Sequence, residues 1–390
     1  MPALLLALAS APSIASAGPS DDGCNNRNFT TIDQFLQCVN GDDVYTHLQA
    51  FQDIADANDG TRASGTPGYD ASADYVQGLL EAAGYEVTIQ EFAFTLFTEV
   101  SSSLSNNGAA IETQTMSFSG SGSLTNANVI PVDLALGLGN ASTSGCEAAD
   151  FDGLDFSGSN DLALIQRGAC AFGSKALNAQ AAGAEAVVIF NQGNTEARKG
   201  IIGGTLGEGV VGTLTIPVLD VAYDDGVALV GAENVNLAAE TINDTKATSN
   251  IIADMDGVNT DNVVMAGAHL DSVAAGPGIN DNGSGSATIL AVALQMANNK
   301  KFTPQNSIRF AWWGAEESGL IGSTEYIFNP EFGISDEDYF ALAAYLNFDM
   351  VGSANFIYGV YDADESTFTA SAPVPAGSAA LEDLFEAYYT

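Results

Sequence analysis

The chain has 390 residues, more than a single hydrophobic core usually serves, so two compact units with connecting segments are expected. Hydrophobic residues make up 46% of it and no long low-complexity tract interrupts them, which excludes a largely disordered chain. With 49 acidic residues against 10 Lys+Arg the formal net charge is -39. That surface is a poor partner for nucleic acid or anionic membrane and suits a saline or extracellular setting.

Residues 1–17 read MPALLLALASAPSIASA, an apolar run followed by Ala15-Ser16-Ala17, where a signal peptidase could cut before Gly18. The positively charged start is missing, so the beginning reads as clipped. The run is too short to cross a bilayer, and no other stretch approaches the roughly 20 apolar residues required. Export is expected, giving a secreted, extracellular protein with no membrane partner. The 4 cysteines form two close pairs in sequence, Cys24 with Cys38 and Cys146 with Cys170, which fits an oxidising compartment. Three connectivities are possible and the sequence alone does not choose among them; local pairing is the expectation. None lies in a Cys-x-x-Cys pair, which argues against a cysteine zinc site.

Residues 42–58 have helical spacing through Val44, Leu48, Phe51, Ile54 and Ala55, and residues 69–83 repeat it through Tyr75, Val76, Leu79 and Leu80, closed by Gly84. Residues 85–97 alternate and are rich in β-branched and aromatic types, so a strand or hairpin follows. The Ser/Asn/Gly-rich stretch 101–128 reads as a loop or edge-strand region, with a boundary near its end. A strand at 162–165, a helix at 172–182 and a strand at 186–190 then make a compact βαβ element. From residue 250 onward come buried strands at 250–255, 262–268, 307–313 and 342–348, a helix at 287–298 and another at 379–389. Strands alternating with helices predict an α/β fold whose mostly parallel central sheet is flanked by helices on both faces. In such sheets ligands gather beyond the carboxyl ends of the strands.

Residues of metal-binding type stand at those ends. VVMAGAHLDS supplies His269 and Asp271, GINDNGSG supplies Asp281, RFAWWGAEESG supplies Glu316 and Glu317, and YLNFDMVG supplies Asp349. One histidine after a strand is more often structural, and an adjacent pair of glutamates is usually solvated surface. Their joint placement after successive strands is what points to a metal site. One histidine with several carboxylates is the set that two zinc ions sharing a carboxylate need, and a bridging Asp281 would hold them about 3.5–4 Å apart. Asp271 has the spacing to accept a proton from the ring nitrogen of His269 that faces away from the metal. In extended chain the carboxylates of Glu316 and Glu317 would point apart, one to bind and one to move protons.

The order His-x-Asp, Asp-Asn-Gly-Ser-Gly, Trp-Gly-Ala-Glu-Glu-Ser-Gly-Leu-x-Gly-Ser and Asn-x-Asp-Met-Val-Gly resembles the secreted two-zinc aminopeptidases, metallopeptidase family 28, over residues 250–352; residues 62–92 resemble the first helix and strand of that catalytic domain. The resemblance implies a zinc exopeptidase-like (phosphorylase/hydrolase-like) fold with two Zn2+ per catalytic domain. It further implies His269 and Asp349 as terminal ligands of one zinc, Asp281 as the bridge, Glu317 on the other zinc, and Glu316 as general base; Asp271, on its spacing from His269, is expected beside Glu316 in the catalytic set. The implied substrates are peptides or proteins with a free N-terminus, and a monomer is expected. Residues 161–192 resemble a protease-associated (PA) domain, whose disulfide Cys146 and Cys170 would form. The resulting organisation is 1–17 signal peptide, 18–128 N-terminal segment and first part of the peptidase domain, 129–238 inserted PA domain, and 239–390 metal-binding part. The family places a second histidine on the Glu317 zinc, whereas the histidines here are His47, in an early helix, and His269; a missing C-terminal piece is therefore expected. The rival readings are a related zinc carboxypeptidase or glutaminyl cyclase, or an inactive fragment that binds proteins through its PA domain. Of the Asn-x-Ser/Thr matches at Asn28, Asn140, Asn243 and Asn282, the last would crowd the metal loop and is not expected to carry a glycan.

Overall fold

A computed structural model describes residues 21–389 except 28, 30, 371 and 372. The expected signal peptide and Asn28 lie outside the described residues. The chain forms two compact units, one made of the chain up to Gln90 together with Ser249 onward, the other Glu91–Thr248.

In the first unit, Asn259–His269 is flanked by Leu342–Asn347 and Asn306–Trp313, both parallel to it, and residues 251–255 add antiparallel to Asn306–Trp313. The sheet is thus mostly parallel with an antiparallel part. Helix Gly41–Ala57 starts where the Asn40 side chain accepts the amides of Asp42 and Asp43, satisfying donors that the first turn leaves free. Helix Pro67–Ala83 has proline in its first turn and ends at Gly84, whose φ of 96° suits glycine. Phe51, Tyr69, Val76 and Leu80 from these helices meet Ile251, Ala253, Phe310 and Trp312 of the sheet and Ala287 and Leu290 of helix Gly285–Asn298. Each such large side chain removed from water contributes about 1.5–3 kcal/mol. The expectation of buried strands fails at Leu342–Asn347, which alternates half-buried with exposed residues. It pairs on one side only among the described strands, and an edge strand with one covered face shows period-2 burial.

In the second unit, Gly122–Val132, Asp161–Gln166, Ala186–Phe190 and Val218–Val221 run parallel in that order. Helix Phe172–Ala182 connects two of them, as the βαβ pattern predicts. Of the loop or edge strand expected over 101–128, strand is what largely forms: Glu86–Asn106 continues through the serines, turns at Asn107 and Gly108 (φ 50° and 81°), and returns as Ala109–Ile111. Asn-Gly with both φ positive is the tight hairpin turn that matches strand twist, and it outweighs the weak strand preference of the serines. Both disulfides are local, Cys24–Cys38 and Cys146–Cys170.

Candidate metal centre

The register of the parallel sheet assembles the site. His269, the last residue of its strand, pairs with Trp313, and Gly267 pairs with Asn347, so the segments leaving both neighbouring strands emerge beside the imidazole. His269 is buried. Its Nδ1 lies 3.0 Å from the Asp271 carbonyl oxygen and 3.5 Å from Asp271 Oδ1. With Nδ1 turned to these acceptors, a neutral ring that carries its hydrogen there offers Nε2 as a ligand atom. That Nε2 stands 3.1 Å from Asp281 Oδ1, 3.6 Å from Asp349 Oδ1 and 3.7 Å from Glu316 Oε2.

Asp271 has a second contact that spacing does not reveal. Its Oδ1 and Oδ2 accept the backbone amides of Glu316 and Glu317 at 3.2 and 3.3 Å, tying the glutamate loop to the histidine loop. Glu316 and Glu317 do not lie in extended chain, contrary to the expectation. The carbonyl of Glu316 accepts the amides of Gly319 and Leu320 at 2.8 Å each, and Ala315 has φ 52°. The reason is that Asp271 and Ser64, whose Oγ accepts the Ala315 amide at 2.7 Å, curl the backbone into a turn. Their carboxylates converge instead of pointing apart: ligand atoms of His269, Glu316 and Glu317 all lie within 4.8 Å of one another, as do those of His269, Asp281 and Asp349.

Asp281 is not at a strand end but in the turn before helix Gly285–Asn298. The next residue holds it against the Asp349 segment: Asn282 Nδ2 donates to the Phe348 carbonyl at 2.9 Å, and its Oδ1 accepts the amides of Gly285 at 2.9 Å and Met350 at 3.3 Å. A Cβ at Gly285 would sit 2.2 Å from the Phe348 carbonyl oxygen, so only glycine permits this approach. Asn282 is fully buried, consistent with its unsuitability for a glycan. Asn282 and Arg62 are the residues the sequence reading missed. Arg62 is fully buried and donates to carbonyls of the loop between His269 and Asp281; its only sequence signal was a position ahead of helix Pro67–Ala83. His47 takes no part: it is buried in helix Gly41–Ala57, with Nδ1 2.7 Å from Tyr75 Oη.

Burial lowers the His269 pKa, but hydrogen bonds to Asp271 and Asp349 and the charges of Asp271 and Glu316 raise it to about 11. Burial, then the charge of Asp281, pushes Glu317 up to about 7. Burial also raises Glu316, reinforced by Asp271, Asp349 and Asp281 and opposed by His269. Crowded carboxylates around one imidazole lack positive charge. A divalent cation that accepts nitrogen and carboxylate ligands fits this donor set. The side chains of Asp281 and Asp349 are 47% and 40% exposed, so solvent and a substrate can reach the centre. Elsewhere, Asp362, Asp364 and Glu382 also come within 4.8 Å; there Glu382 accepts the amides of Ala363 and Asp364.

Comparison with known proteins follows the same division of the chain. The profile of peptidase family M28 matches residues 250–389, and that of the PA domain matches residues 126–229. The chain is 48% identical over 362 residues to an aminopeptidase of Pseudomonas aeruginosa (strain UCBPP-PA14), covering 90% of this chain and 65% of that protein. It is 34% identical over 398 residues to leucine aminopeptidase 2 of Trichophyton tonsurans, covering 100% of this chain and 75% of that one. The chain therefore spans about two thirds of the length of the curated relatives it matches. Among solved structures, it resembles an aminopeptidase from Aneurinibacillus sp. strain AM-1 with TM-score 0.67 and 28% identity, covering 82% of this chain and 72% of that one.

Proposed function

Since this chain belongs to peptidase family M28, we propose that it is a secreted zinc-dependent aminopeptidase that releases N-terminal amino acids from peptides. In this reading His269, Asp281, Asp349 and Glu317 would hold the zinc, His269 and Asp349 serving one ion, Glu317 a second and Asp281 both. Zinc bound there supplies Lewis acidity, which polarises a peptide carbonyl and acidifies water. Glu316 is the general base: held near the centre with a raised pKa, its carboxylate takes the proton of the attacking water and delivers it to the leaving amine nitrogen. Asp271 fixes the His269 ring through Nδ1 and the two glutamates through their amides. The excess of carboxylates over cations suits a substrate carrying a free α-ammonium group. The inserted PA unit, taken as 129–238, serves substrate restriction or protein binding; the two disulfides and the acidic surface support an extracellular setting.

The observation that carries the proposal is the convergence of Asp281, Asp349 and Glu316 on Nε2 of a single histidine. The test is zinc content of the purified chain together with hydrolysis of leucine p-nitroanilide before chelation, after it, and after zinc is restored. Two zinc ions per chain and cleavage that chelation abolishes and zinc restores are expected. Cleavage of N-acetylated peptides from the C-terminus would instead identify a carboxypeptidase, and cyclisation of an N-terminal glutamine a glutaminyl cyclase. Neither zinc nor cleavage would leave a binding protein.

A further inference from the structure

The side chain of Arg62 is buried completely, and among the described residues none of its donors meets a carboxylate, the charge of Asp271 acting on it without a hydrogen bond. Nη1 donates to the Leu270 carbonyl at 2.5 Å, Nε to the Pro277 carbonyl at 2.8 Å and Nη2 to the Gly278 carbonyl at 2.9 Å. The guanidinium also lies over the Phe51 ring, 4.9 Å from its centroid. Burying a cation is costly, and several hydrogen bonds to one side chain are needed to offset it. A brace for the core alone would not need a charge, and nothing requires all three acceptors to come from one loop.

That loop joins two candidate ligands that lie side by side. Leu270 follows His269 directly, and Pro277 and Gly278 precede Asp281 by a few residues, while His269 Nε2 and Asp281 Oδ1 are 3.1 Å apart. The middle of the loop is held by the same stretch of chain. The Arg62 amide donates to Ser272 Oγ at 3.0 Å, and Thr61 Oγ1 donates to the Val273 carbonyl at 3.2 Å. The segment carrying Arg62 is itself fixed, because a Cβ at Gly68 in helix Pro67–Ala83 would meet the Thr61 carbonyl oxygen at 2.0 Å. One planar fork of donors thus spans both ends of the loop. A guanidinium can hold several acceptors at fixed angles, whereas an ammonium on a flexible stem cannot.

We infer that Arg62 is a positioning residue of the metal centre: by clasping both ends of loop 270–278 it sets the separation of His269 from Asp281 and so the affinity and coordination geometry of the metal between them. This rests on the reading of the site proposed above. Groups that orient metal ligands typically cost about 10- to 100-fold in affinity when removed.

The test uses the full chain as wild type, Arg62→Met, Arg62→Lys and Ser272→Ala. Zinc affinity is measured by competition with a chromophoric chelator, the visible spectrum is recorded after loading with Co2+, and thermal unfolding is followed in the chelated state. For Arg62→Met, zinc affinity should fall about 10- to 100-fold with an altered Co2+ spectrum. Arg62→Lys should recover part of the affinity while its spectrum stays shifted, and Ser272→Ala should show the same spectral change in milder form. If Arg62→Met does not fold, the lysine and Ser272→Ala variants decide. Wild-type affinity and spectrum in folded variants, with only a lower unfolding temperature, would reduce Arg62 to a core brace and overturn the inference alone. A wild-type chain that takes up neither zinc nor Co2+ overturns the reading of the site and this inference with it.

Discussion

Glu316 and Glu317 are neighbours in sequence and differ in what they face. Glu316 Oε2 lies 3.7 Å from His269 Nε2, and the pKa of Glu317 is pushed up to about 7 by burial and Asp281. Glu316→Gln keeps the shape and the Asp271–amide contacts while removing the proton acceptor. It should lower kcat by about 10²- to 10⁴-fold with zinc content unchanged, measured by leucine p-nitroanilide turnover beside metal analysis; near-normal turnover with zinc retained would remove Glu316 from its role. The residue types of this site were readable because histidine and carboxylates recur in a fixed order after successive strands. Arg62 and Asn282 were not readable. Each acts through hydrogen bonds to main-chain groups, Arg62 to residues 208 to 216 positions away, and carbonyl acceptors leave no mark on side-chain spacing.

Helix Phe172–Ala182 was visible in the sequence with the same bounds, but not the burial of its lysine. Lys175 is fully buried; its Nζ donates to the Ser144 carbonyl and lies 3.5 Å from Cys146 Sγ. Burial lowers its pKa from 10.5 to about 8, with Asp150 opposing. The folded chain therefore releases this proton near pH 8, while the unfolded chain keeps it to about pH 10.5. The unfolded state binds more protons between those values, so this group makes stability rise with pH across that window and adds no slope below it. Urea unfolding at pH 7 to 10.5 should show the rise, and Lys175→Met should flatten it; an equal slope in the variant would assign the effect to other groups. The stretch 101–128 is the element whose composition leaves loop and edge strand open. The Asn-Gly turn and a buried Leu104 decide for a hairpin in its first part.

With a net charge of -39, the folded chain concentrates like charge that the unfolded chain spreads out, and self-repulsion opposes compaction. Screening shortens from about 10 Å at 0.1 M salt to about 3 Å at 1 M. The thermal unfolding midpoint, followed by circular dichroism, should therefore climb by several degrees over that range of sodium chloride; a flat or falling curve would mean that the acidic surface is already neutralised by bound cations. The sequence by itself determined the α/β class, the long helices, most strands and the residue types of the candidate metal centre, because periodicity, turn residues and strand-end chemistry are written in near neighbours; it left the cysteine pairing open among three connectivities. Tertiary structure alone decided that Glu316 and Glu317 converge, that Asp271 ties two loops together, and that Arg62 spans one of these, residues 270–278. Those outcomes depend on which strands lie side by side and in what register, and on polar groups buried together from distant parts of the chain, where each unmade hydrogen bond is costly.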